Sequence, residues 1–169
     1  MSRPCKLMVA CAFVLLSNAP SRAEQADIAK SLVGDWSLVS QYVELNGKKI
    51  DAFGSKPRGL MMLSANGKFS IILMKDQLPK FASNNRVKGS AEENQAVVQG
   101  SIAYFGSYKV NSMKGNTAQI SMRIEGSTFP NWDGEEQPRD LTLVGDELRA
   151  TSPKAAIGGV PYVVWKRIQ

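Results

Sequence analysis

Apolar and polar residues alternate along much of this chain, a pattern typical of strands that bury one face. The clearest case is residues 117–125, where Ala118, Ile120, Met122 and Ile124 share one face. Similar runs predict strands over 36–45, 59–64, 68–74, 138–144, 147–151 and 159–168, and another near Tyr108 and Val110. We therefore predict an all-β fold of about eight antiparallel strands closed into an up-and-down barrel.

Turn residues separate these runs at regular places. Short turns are predicted at Asn46-Gly47, Ala65-Asn66-Gly67, Lys114-Gly115-Asn116 and Gly145-Asp146. Residues 26–33 have helical spacing and end at Gly34, which predicts a short N-terminal helix.

A second helix is predicted over residues 91–104, since Ser90 and Glu93 form a capping-box pair. The strands at 59–64 and 68–74 are apolar on both faces, and a sheet that hides both faces needs an outer cover. We expect this helix to pack against that wall, and the polar loop 77–88 to border an opening.

The first 23 residues have the features of a secretory signal peptide. Arg3 and Lys6 precede an apolar run, and Ser21-Arg22-Ala23 supplies small residues for cleavage. Removing 23 of the 169 residues leaves 146, enough for one barrel domain over 24–169. Cleavage would also remove Cys5 and Cys11. We expect a periplasmic or secreted protein with no integral membrane anchor.

Charge and composition exclude several function classes. With Arg3, Lys6 and Arg22 removed, the formal charge falls from +6 to +3, and no basic stripe interleaves with aromatics, so we expect no nucleic-acid partner. The chain has no histidine, which excludes a Ser-His-Asp triad and the usual zinc sites. The acids of residues 133–136 are best explained as a solvated turn. We expect no metal, no cofactor and no catalytic residue.

The first strand opens with Gly34-Asp35-Trp36, and the last one contains Trp165-Lys166-Arg167. This pairing resembles the way in which a lipocalin-type barrel begins and closes. Trp36 is expected to plug one end of the barrel, with Lys166 or Arg167 lying across its ring.

Further blocks are similar to the bacterial and fungal lipocalin-like domain family, and the resemblance covers nearly all of residues 24–169. They are Leu32–Ser40, Pro57–Leu60, Ile102–Tyr108 and Glu125–Trp132, of which the Phe-Pro-Asn-Trp ending is the most specific. The resemblance implies an antiparallel barrel with a helix on its flank, and no settled activity. In that family histidines often precede the Glu-Gly-Ser block, where this chain has Met122 and Arg123.

Five residues are candidates for a ligand site. Arg139 shares strand parity with Leu141, so it faces the core if Leu141 does. A buried guanidinium needs a carboxylate partner, either on a ligand or on Glu125. In the alternative interpretation, Arg139 bends out to solvent. Tyr42, Tyr108 and Trp132 could form hydrogen bonds at a pocket wall, and Met122 could line it. Each could equally serve only to pack the barrel.

These observations favour an exported barrel that binds a small hydrophobic or amphipathic molecule. One alternative is a cofactor-independent isomerase or cyclase that positions a hydrophobic substrate in the barrel. Another is a filled structural barrel that holds no ligand.

Overall fold

The fold is a closed antiparallel barrel, and the computed structural model describes residue 27 and residues 29–169. The elements are β1 (Gly34–Leu45), β2 (Lys48–Ile50), β3 (Arg58–Leu63), β4 (Lys68–Met74), α1 (Ala91–Gly100), β5 (Ser101–Lys114), β6 (Thr117–Ser127), β7 (Glu136–Val144), β8 (Glu147–Thr151) and β9 (Val160–Arg167). A 3₁₀ turn at Pro130–Trp132 separates β6 from β7.

The predicted barrel is confirmed in its topology. Neighbouring strands from β3 to β9 pair in chain order, and β1 closes the ring by pairing with both β3 and β9. The ninth strand, β2, is extra: it forms a hairpin with the end of β1 across Asn46 and Gly47, whose φ angles are 52° and 71°. Both residues tolerate positive φ, as the predicted turn requires.

At one end, the barrel is closed by Trp36, which is 0% exposed. The Arg167 guanidinium lies 4.1 Å from the centre of the Trp36 ring, and Trp36 Nε1 donates to the Leu32 carbonyl at 3.1 Å. Arg167 also donates to the Val33 carbonyl at 3.0 Å and to the Ser31 carbonyl. The predicted plug is confirmed, with Arg167 as its cation.

Residue 27 and residues 29–32 are helical, which agrees with the short N-terminal helix predicted over 26–33. Residues 26 and 28 of that prediction and all of the predicted signal segment lie outside the described residues. Among the described residues, no helix has the length and apolar character needed to span a membrane.

The prediction for α1 is wrong at its end. The capping box is present, with Ser90 Oγ accepting from the Glu93 N–H at 3.2 Å and Glu93 Oε2 from the Ser90 N–H at 2.8 Å. The helix ends at Gly100, however, where the Lys75 N–H donates to the Gly100 carbonyl at 2.8 Å. Beyond it, Ile102 and Tyr104 are buried on alternate positions of β5, because pairing with β4 overrides the helical pattern.

The expectation that α1 covers the outer wall is also wrong. Gly100 is the only buried residue of α1, and Val98 is 75% exposed. Met62 and Phe105, on the outer face of β3 and β5, remain 40% and 54% exposed. Instead, α1 holds the preceding loop, since Glu93 Oε1 accepts from the Ala82 N–H at 2.8 Å.

One irregularity in β1 decides which side chains face the interior. Leu38 pairs with Trp165 and Ser40 with Val164, so Val39 is an extra residue and forms a β-bulge. A one-residue shift exchanges the two faces of a strand. As a result, Gln41 and Val43 are buried inside the barrel.

Candidate ligand-binding cavity

The end of the barrel opposite Trp36 contains a cavity of about 90 Å³, which we call the inner cavity. Strands β4 and β8 end there, and β3, β5 and β9 begin there. Most of its lining is apolar, and it comprises Gln41, Val43, Ala52, Phe53, Leu73, Ile102, Tyr104, Trp132, Arg139, Ser152, Lys154, Ala155, Ala156, Ile157, Pro161 and Val163.

A second space of about 40 Å³, the deep pocket, lies further into the barrel and reaches Met122 and Trp165. Tyr104, Arg139 and Val163 line both spaces, so the two are adjacent. The interior is therefore only partly filled, and the remaining volume is close to the size of a small aromatic molecule.

Arg139 lies where these spaces meet. Its side chain lines the inner cavity and the deep pocket and is partly buried. Nη2 donates to Gln137 Oε1 at 2.5 Å, and Nη1 donates to the Pro138 carbonyl at 2.9 Å. The guanidinium has five N–H donors, so several remain for a ligand. Of the two sequence interpretations of Arg139, the structure agrees with the one in which its side chain points into the barrel.

Glu125 does not pair with Arg139, contrary to one sequence interpretation. Its carboxylate binds Lys68 Nζ at 2.7 Å on the outside of the barrel, and this hydrogen bond is the main cause of the lowered pKa of Glu125. None of the ion pairs formed by the described residues includes Arg139. A bound carboxylate or other oxygen group could therefore satisfy this cation without displacing an internal partner.

Gln41 gives the inner cavity a second polar group. Its side chain is 6% exposed, and its Oε1 atom finds no hydrogen-bond partner within the described part of the chain. Gln137, which is equally buried, contrasts with it, since Oε1 accepts from Arg139 and Nε2 donates to Glu135 at 3.4 Å.

Aromatic rings connect the core to the rim of the cavity. Tyr104 packs edge-on against Phe69 at 6.0 Å and against Trp132 at 5.3 Å between ring centres. Phe129 packs against Trp132 at 5.7 Å. Edge-to-face pairs are favourable arrangements of aromatic rings. The Phe-Pro-Asn-Trp block thus places an indole ring at the opening.

An open groove of about 430 Å³, the outer groove, lies on the other side of Trp132 and Arg139. The chain segments at 129–139 and 153–156 form its sides. Glu135 and Glu136 lie here, and both are exposed, as the predicted solvated turn requires. The described residues contain no cluster of three or more acidic side chains arranged to hold a metal ion.

Three of the five candidate residues lie together at this site. Trp132, Arg139 and Met122 line its spaces. Tyr42, a fourth candidate, does not line these spaces, because the bulge at Val39 turns it outward. It stacks on Tyr162 at 4.9 Å, and Lys49 Nζ lies 4.7 Å from its ring centre.

Tyr108 lies near the closed end and does not line these spaces. Its hydroxyl donates to the Ser64 carbonyl at 3.0 Å, and burial raises the pKa of its phenol. Sequence reasoning missed Gln41, because a polar residue two positions after Val39 carries no signal unless the bulge is known.

A curated relative and a solved structure are similar to this chain. The 4'-hydroxy-3'-methoxypropiophenone carrier protein ppsC of Aspergillus oryzae is 25% identical over 103 residues, which are 57% of this chain and 93% of that protein. A crystal structure of a mutant of the fluorescent protein UnaG aligns with a TM-score of 0.35 and 11% identity, over 82% of this chain and 97% of that one. The model of the lipocalin-like domain matches residues 33–168, and the protein belongs to that family.

Proposed function

We propose that this protein binds and carries a small amphipathic molecule, with an apolar or aromatic body, in the inner cavity. The observation that carries the proposal is a largely apolar space at one end of the barrel, with Arg139 in its wall. Binding sites for small molecules usually combine an apolar lining with a few polar groups that fix orientation.

The size of the site restricts the ligand. The inner cavity measures about 90 Å³ and the deep pocket about 40 Å³, which is less than most drug-sized ligands need. The ligand's body lies beside Tyr104 and Trp132, which both line the inner cavity, and the outer groove accommodates any longer part. A compact aromatic compound fits these dimensions better than an extended fatty acyl chain.

The fungal relative supports the same class of ligand. Its name describes it as a carrier of 4'-hydroxy-3'-methoxypropiophenone, a single aromatic ring with hydroxyl, methoxy and ketone groups. We extend only this general chemistry to the present chain: one ring with oxygen substituents, oriented by Arg139.

We further propose that the carrier acts outside the cytoplasm, after export and removal of residues 1–23. The basic start, the apolar run and the small residues before Glu24 support export. Intact-mass measurement of the secreted protein tests this step, with an N-terminus at Glu24 and no thiol as the expected result. A mass that retains Cys5 or Cys11, or a lipid on Cys11, contradicts it.

Native mass spectrometry of protein isolated from its own host tests carriage directly. We expect a co-purifying small molecule on the wild type and none on Val163→Phe, which fills the inner cavity. Val98→Phe is the matched control, because Val98 is exposed on α1 and should leave the ligand in place. A ligand-free wild type that also binds no small aromatic compound would favour a filled structural barrel.

A further inference from the structure

The hydrogen bonds within the described part of the barrel do not account for the burial of Gln41. A buried amide oxygen without a hydrogen-bond partner destabilises the folded state, whereas an apolar side chain of similar length would not. Gln41 is 6% exposed, its Oε1 atom is unpartnered within residues 29–169, and its side chain lines the inner cavity. Oε1 itself is closed off from the cavity, so a ligand there becomes its partner when the Gln41 side chain rotates its amide toward the ligand.

The chemical nature of the ligand group follows from the Gln41 atom that lacks a hydrogen-bond partner, which is Oε1. An amide oxygen only accepts hydrogen bonds, so the ligand must present a hydroxyl or an N–H group there. Arg139 lines the same cavity and only donates, so it pairs with an acceptor such as a carbonyl or carboxylate oxygen. Ser152, also buried in the lining, already donates to the Lys154 carbonyl at 3.3 Å.

We propose that Gln41 determines specificity by accepting a hydrogen bond from a ligand hydroxyl while Arg139 donates to an oxygen acceptor on the same ligand. This inference rests on the proposed function and specifies its ligand class as hydroxylated aromatic carbonyl compounds. Discrimination arises because a site with an unpaired polar group rejects analogues that cannot pair with it.

Three related probes test whether a ligand hydroxyl donates to Gln41: 4-hydroxyacetophenone, 4-methoxyacetophenone and acetophenone. Calorimetric titration of the protein that begins at Glu24 should show that the hydroxy compound binds about tenfold more tightly than either analogue, as one hydrogen bond to a buried acceptor provides. In Gln41→Met this preference should fall below about twofold, while the affinity for acetophenone stays within about twofold of wild type. Gln99→Met, an exposed position on α1, is the matched control and should keep the preference.

Thermal unfolding without ligand supplies a second readout. Gln41→Met removes the unpaired oxygen, so its Tm should rise by about 2–4 °C, and Gln41→Leu should raise it too. A fall in Tm for both variants would mean that the oxygen has a partner in the free protein, which would overturn the inference.

The binding outcomes separate the inference from the proposed function. If all three probes bind the wild type equally, or if Gln41→Met keeps the hydroxyl preference, the assignment of Gln41 is wrong and carriage of small aromatics still stands. If none of the three binds, the proposed aromatic carriage fails, and the assignment of Gln41 fails with it.

Discussion

The two ends of the barrel use the same kinds of residue for different purposes. At the closed end, Trp36 is completely buried, and Arg167 lies over its ring and donates to two backbone carbonyls. At the open end, Trp132 is only partly buried, and Arg139 also donates two hydrogen bonds but lines the inner cavity and the deep pocket. Each end thus combines a tryptophan with an arginine, but within the described part of the chain only the arginine at the closed end lies over an indole ring.

This difference separates groups that hold the fold from groups available to a ligand. A buried polar group that finds its partners within the chain contributes to stability, whereas one that does not destabilises the free protein. Substitutions at the closed end should therefore change stability, and substitutions at the open end should change binding.

The largest effect is expected for Trp36→Ala. Truncating a fully buried tryptophan should lower the free energy of unfolding by about 3–5 kcal/mol. Trp132→Ala should lower it by only about 1 kcal/mol, since that ring is partly exposed, while weakening the binding of a small aromatic ligand. Urea denaturation of both variants measures the contrast. Equal losses would mean that the two ends do not differ in this way.

Arg139→Met should act chiefly on ligand binding, and it should also lower the free energy of unfolding by about 1 kcal/mol, because the buried Gln137 Oε1 loses its donor. It keeps much of the side-chain length and removes the donors, so a ligand with a carboxylate should lose about 1.5–3 kcal/mol. The matched alcohol should lose much less, because it carries no charge. Titrating a fatty acid short enough for the site, and its alcohol, against both proteins measures this difference.

Arg149→Met is the control for this prediction, because Arg149 is an exposed arginine of β8 that pairs with Glu147 at 3.2 Å. It should bind both compounds as the wild type does. If Arg139→Met weakens the acid and the alcohol equally, or neither of them, Arg139 does not orient the ligand.

Gly34→Ala tests how tightly the closed end is built. Gly34 has a φ of +139°, and an added Cβ would lie 2.8 Å from Arg167 Nη1. Both the backbone strain and the displaced guanidinium should lower the free energy of unfolding, together by about 1–3 kcal/mol. Gly115→Ala is the control, since its φ is +57° and open space surrounds it. Thermal unfolding that shows no greater loss at Gly34 would contradict a role for this contact.

The smallest effect is expected for the Lys68–Glu125 pair, because both side chains are exposed and exposed pairs contribute little. The folded-state pKa of Glu125 lies below its ordinary value of 4.5, chiefly because Lys68 donates to it. Its contribution is therefore present above pH 4.5 and is lost as the pH falls through the folded-state pKa. The small Tm difference between wild type and Glu125→Gln should shrink over that acidic range. A difference that stays constant with pH would contradict this origin.

The closed end was largely predictable from the sequence. Trp36 and Arg167 follow from local chemistry that the structure repeats, as do two motifs away from this end, the Asn46-Gly47 turn and the capping box at Ser90. Strands with one apolar face were also predictable, because alternation reflects burial directly.

The open end was harder to predict, for two physical reasons. The end of α1 depends on the pairing of β5 with β4, which is a tertiary interaction that local propensity does not contain. The inward face of β1 beyond Leu38 depends on the extra residue at Val39, which turns Tyr42 outward and Gln41 inward. The inward position of Arg139 was predictable because β7 keeps regular alternation through Leu141.

The bulge at Val39 has a consequence for how related proteins can diverge. Deleting this one residue would remove the bulge but keep the pairing of Leu38 with Trp165 and of Ser40 with Val164, so Gln41 and Val43 would still face inward. The bulge thus absorbs the gain or loss of one codon in β1 without exchanging the inward and outward side chains. Insertions and deletions at this position of β1 therefore let related proteins differ in length while the barrel and its inner wall stay the same.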